Sequence, residues 1–218
     1  MKKITEFWRN HENLRVKVIN DLKEEKEMPI LPFAKEQLFP VDYNDGYFEK
    51  LDDVRGLYVE GEKFDNCDMS YLNLSLAKFS NCIFNNVNMF CSRLHSSSFE
   101  NCNFTYCNMN GIYAENLNLR SCKLTHVDLT SSYLIEIIIQ DCFIEEVNFT
   151  SSRLTFPNFQ KTSITDSCFS SVRIIPTKSA IKALSENKTN SNIKTIQWFD
   201  GSGEIIKSPL NKKKFIFF

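Results

Sequence analysis

The chain has 218 residues, a formal net charge of −1, 42% hydrophobic residues and six glycines. This balance fits an ordered globular protein, not a disordered or collagen-like one. Near-zero charge excludes strong non-specific attraction to nucleic acid or to an acidic membrane surface. No stretch reaches the ~20 apolar residues of a membrane span. The opening MKKITEFWRNHENLR has a basic tip but no apolar core, so it is expected to carry no secretory signal. Without export, the eight cysteines are expected to be free thiols in a reducing cytoplasm.

Composition and periodicity change together at two places, which divides the chain into residues 1–56, 57–176 and 177–218. Their balances of Lys/Arg against Asp/Glu are 10 to 12, 8 to 12 and 8 to 3. In the first segment, residues 3–27 read as one amphipathic helix with Ile4, Trp8, Leu14, Val18 and Leu22 on one face, stopped by Pro29 and Pro32. Residues 28–56 read as an irregular connection to the segment that begins at residue 57.

From Val59 to Ile174 a large apolar residue recurs at every fifth position, with only Ala114 small. Two residues earlier stands a second selected position, mostly small: Cys67, Ala77, Cys82, Val87, Ser92, Cys102. Two inward residues flanking one outward residue is β alternation. A period of five then requires a two-residue corner after each short strand. A helix would need apolar spacings of three and four, which are absent. Cys82, Cys102, Cys122 and Cys142 recur every 20 residues, as do Met69, Met89 and Met109. Like residues stack in parallel in-register coils, so one coil holds 20 residues on four sides and residues 57–176 make about six coils.

The segments CDMSY (67–71), VNMFC (87–91), CNMNG (107–111), VDLTS (127–131) and VNFTS (147–151) resemble the pentapeptide-repeat family. The resemblance implies an all-β solenoid, a right-handed quadrilateral parallel β-helix with small terminal caps. Glu62 at a small inward site implies that the first coil is frayed or covered. Pro157 is expected to remove a ladder donor and loosen the fifth coil. Ile112 beside Ala114 reads as an exchange of volume. After Pro176 the sequence predicts a short helix over 178–187, a β-hairpin over 193–208 turning at DGSG, and the basic, apolar end KKKFIFF. That segment is expected to pack on the last coil or to join a second subunit. The resemblance favours a homodimer through this end.

No catalytic residue, cofactor or metal site is expected. The cysteine ladder suits a tight inward position. The Asp/Asn ladder at 68, 88, 108, 128 and 148 is expected to bond backbone around the corners. One outward column stands apart: Arg93, Tyr113, Tyr133, Arg153 and Arg173, spaced by 20. It reads as a surface ladder or as a docking strip for a protein partner. Ile135, Ile138 and Phe143 point outward nearby and are expected to form an apolar area. The favoured function is a non-enzymatic interaction scaffold that binds a protein and neither nucleic acid nor membrane. The alternative, implied by the resemblance, is DNA mimicry: binding a type II topoisomerase (DNA gyrase or topoisomerase IV) and protecting it from quinolones or toxins. A continuous acidic face would favour the mimic.

Overall fold

The computed structural model describes residues 2–32, 52–186 and 195–211. The period of five runs through it without a slip. Each repeat places its large residue inward on a short strand, and Phe64, Leu74, Phe84, Phe99, Leu154 and Phe169 are all fully buried. At every fifth position from Gly56 to Ser171 the backbone turns with φ between +48° and +70°. Only Gly56, Gly61 and Gly111 among these corners are glycine. A left-handed conformation costs other residues about 1–2 kcal/mol. It is held here because corner amides bond the next coil, as in Asn81 to the Glu100 carbonyl at 2.9 Å and Asn101 to the Arg120 carbonyl at 2.9 Å.

From Asp52 to Ile175 register advances by 20 residues at every rung, which gives four faces. Face 1 begins with Asp52–Asp53 paired to Leu72–Asn73. It continues through bridges at Arg93 to Tyr113–Glu115, Tyr133–Ile135, Arg153–Thr155 and Arg173–Ile175. Face 2 has six strands, from Tyr58–Glu60 to Asn158–Gln160. Face 3 has six, from Lys63–Asp65 to Ser163–Thr165. Face 4 is a series of single bridges from Asp68 to Cys168. The result is the expected four-sided parallel β-solenoid. It starts one repeat earlier than the periodicity from Val59 suggests: Val54, in frame with Val59, is already buried.

Stacking fills the core. Phe64, Phe84 and Phe104 stack at centroid separations of 5.2 and 4.7 Å, and Phe79 stacks on Phe99 at 4.9 Å. Above them Leu119, Leu124, Ile139 and Ile144 take over. None of the eight cysteines is in a disulfide. Cys107 donates to the Phe84 carbonyl at 3.4 Å, and burial pushes its thiol pKa up. The Asp/Asn ladder bonds the corners: Asp68 accepts from the Ser70 amide at 2.9 Å, and Asn148 from the Thr150 amide at 3.0 Å. It also bonds between rungs, Asn88 Nδ2 to Asp68 and Asn108 Nδ2 to Asn88, both at 2.9 Å. Pro157 does not loosen its coil. Equivalent amides, such as Ala77 to the Leu74 carbonyl, close the corner rather than the ladder. Asn158–Gln160 therefore keeps full register with Ile138–Gln140.

The N-terminal helix is two helices, α1 (Lys2–Asn10) and α2 (Glu12–Lys23), broken at His11 with φ −127° and ψ 51°. The prolines do not end α2. Glu25 is left-handed and the Lys26 amide reaches back to the Asp21 carbonyl at 2.9 Å, a Schellman stop. Ile4, Trp8, Val18, Ile19 and Leu22 are buried against the first coil. Trp8 Nε1 donates to the Arg55 carbonyl at 2.8 Å. The Gly56 corner lets α1 approach closely: a Cβ there would lie 2.4 Å from Ile4 Cγ2. Lys23 of α2 pairs with Glu62, which explains the acid at a small inward site.

At the other end α3 (Lys178–Glu186) covers faces 2 and 3. Ser179 and Thr177 bond the last rung at the Phe159 amide and the Pro157 carbonyl. Face 1 gains one more parallel rung, Gln197–Phe199, which folds back antiparallel to Ile205–Ile206. Asp200 organises that turn by accepting from the amides of Ser202 and Glu204. Residues 193 and 194 of the expected hairpin and the end 212–218 lie outside the described residues.

Candidate interaction face

The outward column of face 1 is built by register. Arg93 pairs with Tyr113, Tyr113 with Tyr133, Tyr133 with Arg153, and Arg153 with Arg173. The structure therefore brings all five residues into one line. It does not leave all five open. Tyr113 is 8% exposed and stacks on Tyr133 at 5.7 Å, whereas Tyr133 is 46% exposed. Arg93 is half-buried, and Arg153 and Arg173 are exposed.

The lower rungs of face 1 are closed although their parity is outward. Asp53 and Arg55 form a buried ion pair at 2.8 Å. Burial raises the Asp53 carboxyl pKa, opposed by its hydrogen bonds and charge interaction with Arg55. Ser75 and His95 are buried. Desolvation, helped by the Arg93 charge, lowers the His95 pKa to about 4. Its neutral Nδ1 accepts from the Glu115 amide at 3.1 Å, and its ring meets Tyr113 edge-on at 4.9 Å. A run of outward positions gave no sign that these polar groups would be buried.

The upper rungs frame a cavity of about 210 Å³ lined by Arg153, Leu154, Thr155, Arg173, Ile175, Phe199 and Gly203. Arg173 lies over the Phe199 ring at 5.1 Å. Phe199 arrives only with the extra rung, so the repeat alone does not reveal it. Ile135, Ile138 and Phe143 do not make one patch. Ile135 is half-buried on face 1, Ile138 stands on face 2 between Asn118 and Asn158, and Phe143 stands on face 3 between Lys123 and Ser163.

The chain matches the family model for pentapeptide repeats in eight copies over residues 97–134. Within the solenoid, residues 97–134 are thus similar to pentapeptide repeats. Among solved structures it is similar to HetL, a pentapeptide repeat protein involved in heterocyst differentiation regulation in the cyanobacterium Nostoc sp. The TM-score is 0.52 at 10% identity, over 57% of this chain and 64% of HetL, so the match spans less than two thirds of that protein. QnrB1, a plasmid-mediated fluoroquinolone resistance protein, aligns with a TM-score of 0.32 at 16% identity, over 54% of this chain and 83% of QnrB1. The likeness to HetL shows the fold alone. No curated protein matches the chain.

Two other features of the solenoid bear on chemistry. Tyr106 stacks on His126 at 4.6 Å, and His126 Nδ1 lies 2.7 Å from Glu146 Oε2, again at a spacing of 20. They occupy left-handed corner positions on the outside of the coil. A groove of about 500 Å³ runs between α3 and the last rung of face 3, lined by Lys161, Thr162, Thr165, Lys182 and Glu186 among others. Among the described residues no three His, Cys, Asp or Glu side chains gather to hold a metal, and no helix is long and apolar enough to cross a membrane.

Proposed function

We propose that this pentapeptide-repeat protein is a non-catalytic interaction scaffold whose protein partner docks on the upper rungs of face 1, at Tyr133, Arg153 and Arg173. One observation carries the reading. The column is continuous in register, yet it opens to solvent only where Tyr and Arg stand beside a cavity. Tyr and Arg are the residues most enriched at interface hot spots. The filled core argues against a buried substrate site, since the inward Phe, Leu and Met residues leave almost no exposed surface. Eight free thiols, most of them buried, favour a reducing cytoplasm.

The acids of the described residues form no continuous face of the kind the DNA-mimic alternative needs. Among the described residues Glu60, Glu100 and Asp141 lie on or beside face 2, and Asp65, Glu145, Glu146 and Asp166 on or beside face 3. Asp68 and Asp128 lie on face 4, and Glu115 and Glu136 on or beside face 1. Acids on four sides do not imitate two continuous phosphate strands.

A photoreactive side chain placed at Tyr133, compared with one at Asn118 on face 2, tests the scaffold reading in the source cell. Crosslinking to one discrete protein at 133 and to none at 118 is expected. Equal yields at both positions, or none at either, overturn it.

A further inference from the structure

Arg153 and Arg173 are neighbours on adjacent rungs, with their Cα atoms in register. Like charges placed directly opposite across a ladder repel. No carboxylate of the described residues lies within ion-pair distance of either guanidinium, whereas Arg55 lower on the same face is paired with Asp53. The cavity between the two arginines is also lined by Thr155, whose buried hydroxyl has no hydrogen-bond partner among the described residues. Ile175 and Phe199 supply an apolar wall to the same space. Two guanidiniums without a carboxylate partner and an apolar wall thus border about 210 Å³.

We propose that this cleft receives a carboxylate side chain from an acidic, partly apolar segment of the protein partner. The inference rests on the scaffold reading and specifies its chemistry. A carboxylate would accept forked hydrogen bonds from the guanidiniums. The methylenes of a Glu, or an adjacent apolar residue, would lie against Phe199 and Ile175. A nucleic acid fits less well. Phosphate backbones are held by extended basic surfaces, and this column runs down into Tyr133, Tyr113 and the buried Asp53 rather than into further cations. The cleft is also small and half apolar, which suits one side chain better than a polyanion.

The test uses the full chain and four labelled probes: a peptide of alternating Glu and Leu, its Lys and Leu counterpart, its phosphoserine and Leu counterpart, and a 20-base-pair duplex. Fluorescence anisotropy should show saturable binding of the Glu peptide alone. That binding should weaken at least tenfold in Arg153→Ala/Arg173→Ala and recover in part in Arg153→Lys/Arg173→Lys. It should be unchanged in Arg120→Ala on face 2. Thermal melts check that each variant is folded. Tighter binding of the phosphoserine peptide or of the duplex overturns the carboxylate assignment. So does equal binding of the Glu peptide by wild type and the double alanine variant. If the Glu peptide fails while crosslinking at position 133 still captures its protein, this inference falls and the scaffold reading stands. If the peptide binds but position 133 captures nothing, the scaffold reading falls.

Discussion

The lower and upper halves of face 1 share one backbone and differ in what they do with outward positions. Below, Asp53, Arg55, Ser75, His95 and Tyr113 are buried, and the charges among them are paired or suppressed. Above, Tyr133, Arg153 and Arg173 are open beside a cavity. The core is filled throughout, with Phe149 stacked on Phe169 at 4.7 Å in the upper coils as Phe84 is on Phe104 below. A repeat therefore specifies which side chains point out, and tertiary covering decides which of those meet solvent. Under the proposed reading the lower half serves stability and the upper half is left available for contact.

The largest effect should come from the aromatic column under the lower half. Phe104 stacks on Phe84 at 4.7 Å and is 1% exposed. Phe104→Ala should cost about 3–5 kcal/mol by opening a cavity, read as a lower urea midpoint at unchanged slope. Ser170→Ala, at an outward position of face 4, should stay within about 0.5 kcal/mol. Equal midpoints for the two variants would mean that the inward register is wrong.

Breaking the buried pair comes next. Asp53→Ala leaves the Arg55 guanidinium buried without its carboxylate, and a loss of about 3 kcal/mol is expected. If the loss is under about 0.5 kcal/mol, as for a surface pair, the lower half is not closed in solution and the contrast between the halves fails.

Protonation probes the same closure more gently. In the folded chain the His95 pKa is lowered to about 4 by desolvation, from a reference of 6.5. Between those values the unfolded chain binds the extra proton and the folded chain does not. The stabilisation is therefore fully present above pH 6.5 and is lost as pH falls toward 4, amounting to roughly 2–3 kcal/mol. His95→Gln should remove that part of the pH dependence when urea melts of both proteins are compared from pH 7.5 to 4. Parallel pH profiles would show that His95 is solvated.

The frame of five, the four faces and the inward residues were legible because they depend only on alternation and corner spacing. Val54 was legible too, since it sits in frame with Val59 and only the chosen start excluded it. The apolar patch was misjudged for a related reason. Alternation says that Ile135, Ile138 and Phe143 point outward, but only positions 20 apart share a face. The break at His11 and the stop at Glu25 depend on backbone geometry that a helical apolar stripe does not report. The burial of His95 and of Asp53–Arg55 was illegible because it is fixed by packing over face 1, not by the repeat. Phe199 joined the candidate site through a rung contributed from beyond Pro176, outside the periodic frame.

The smallest effect should be at the open end. Arg153 is exposed, has no carboxylate partner among the described residues, and stands in register with Arg173, which has the Phe199 ring beneath it. Removing Arg153 takes away a like-charge repulsion and almost no packing. Arg153→Ala should therefore leave stability within about 0.5 kcal/mol or raise it by a few tenths. Any gain should be largest at low salt and fade above about 0.15 M, where surface charges are screened. A charge retained at a cost to folding has its use elsewhere, so the same variant should lose crosslinking from position 133 while melting no earlier than wild type. A drop of 2 kcal/mol or more would instead place Arg153 in a structural contact, and the two halves of face 1 would then differ in exposure without differing in purpose.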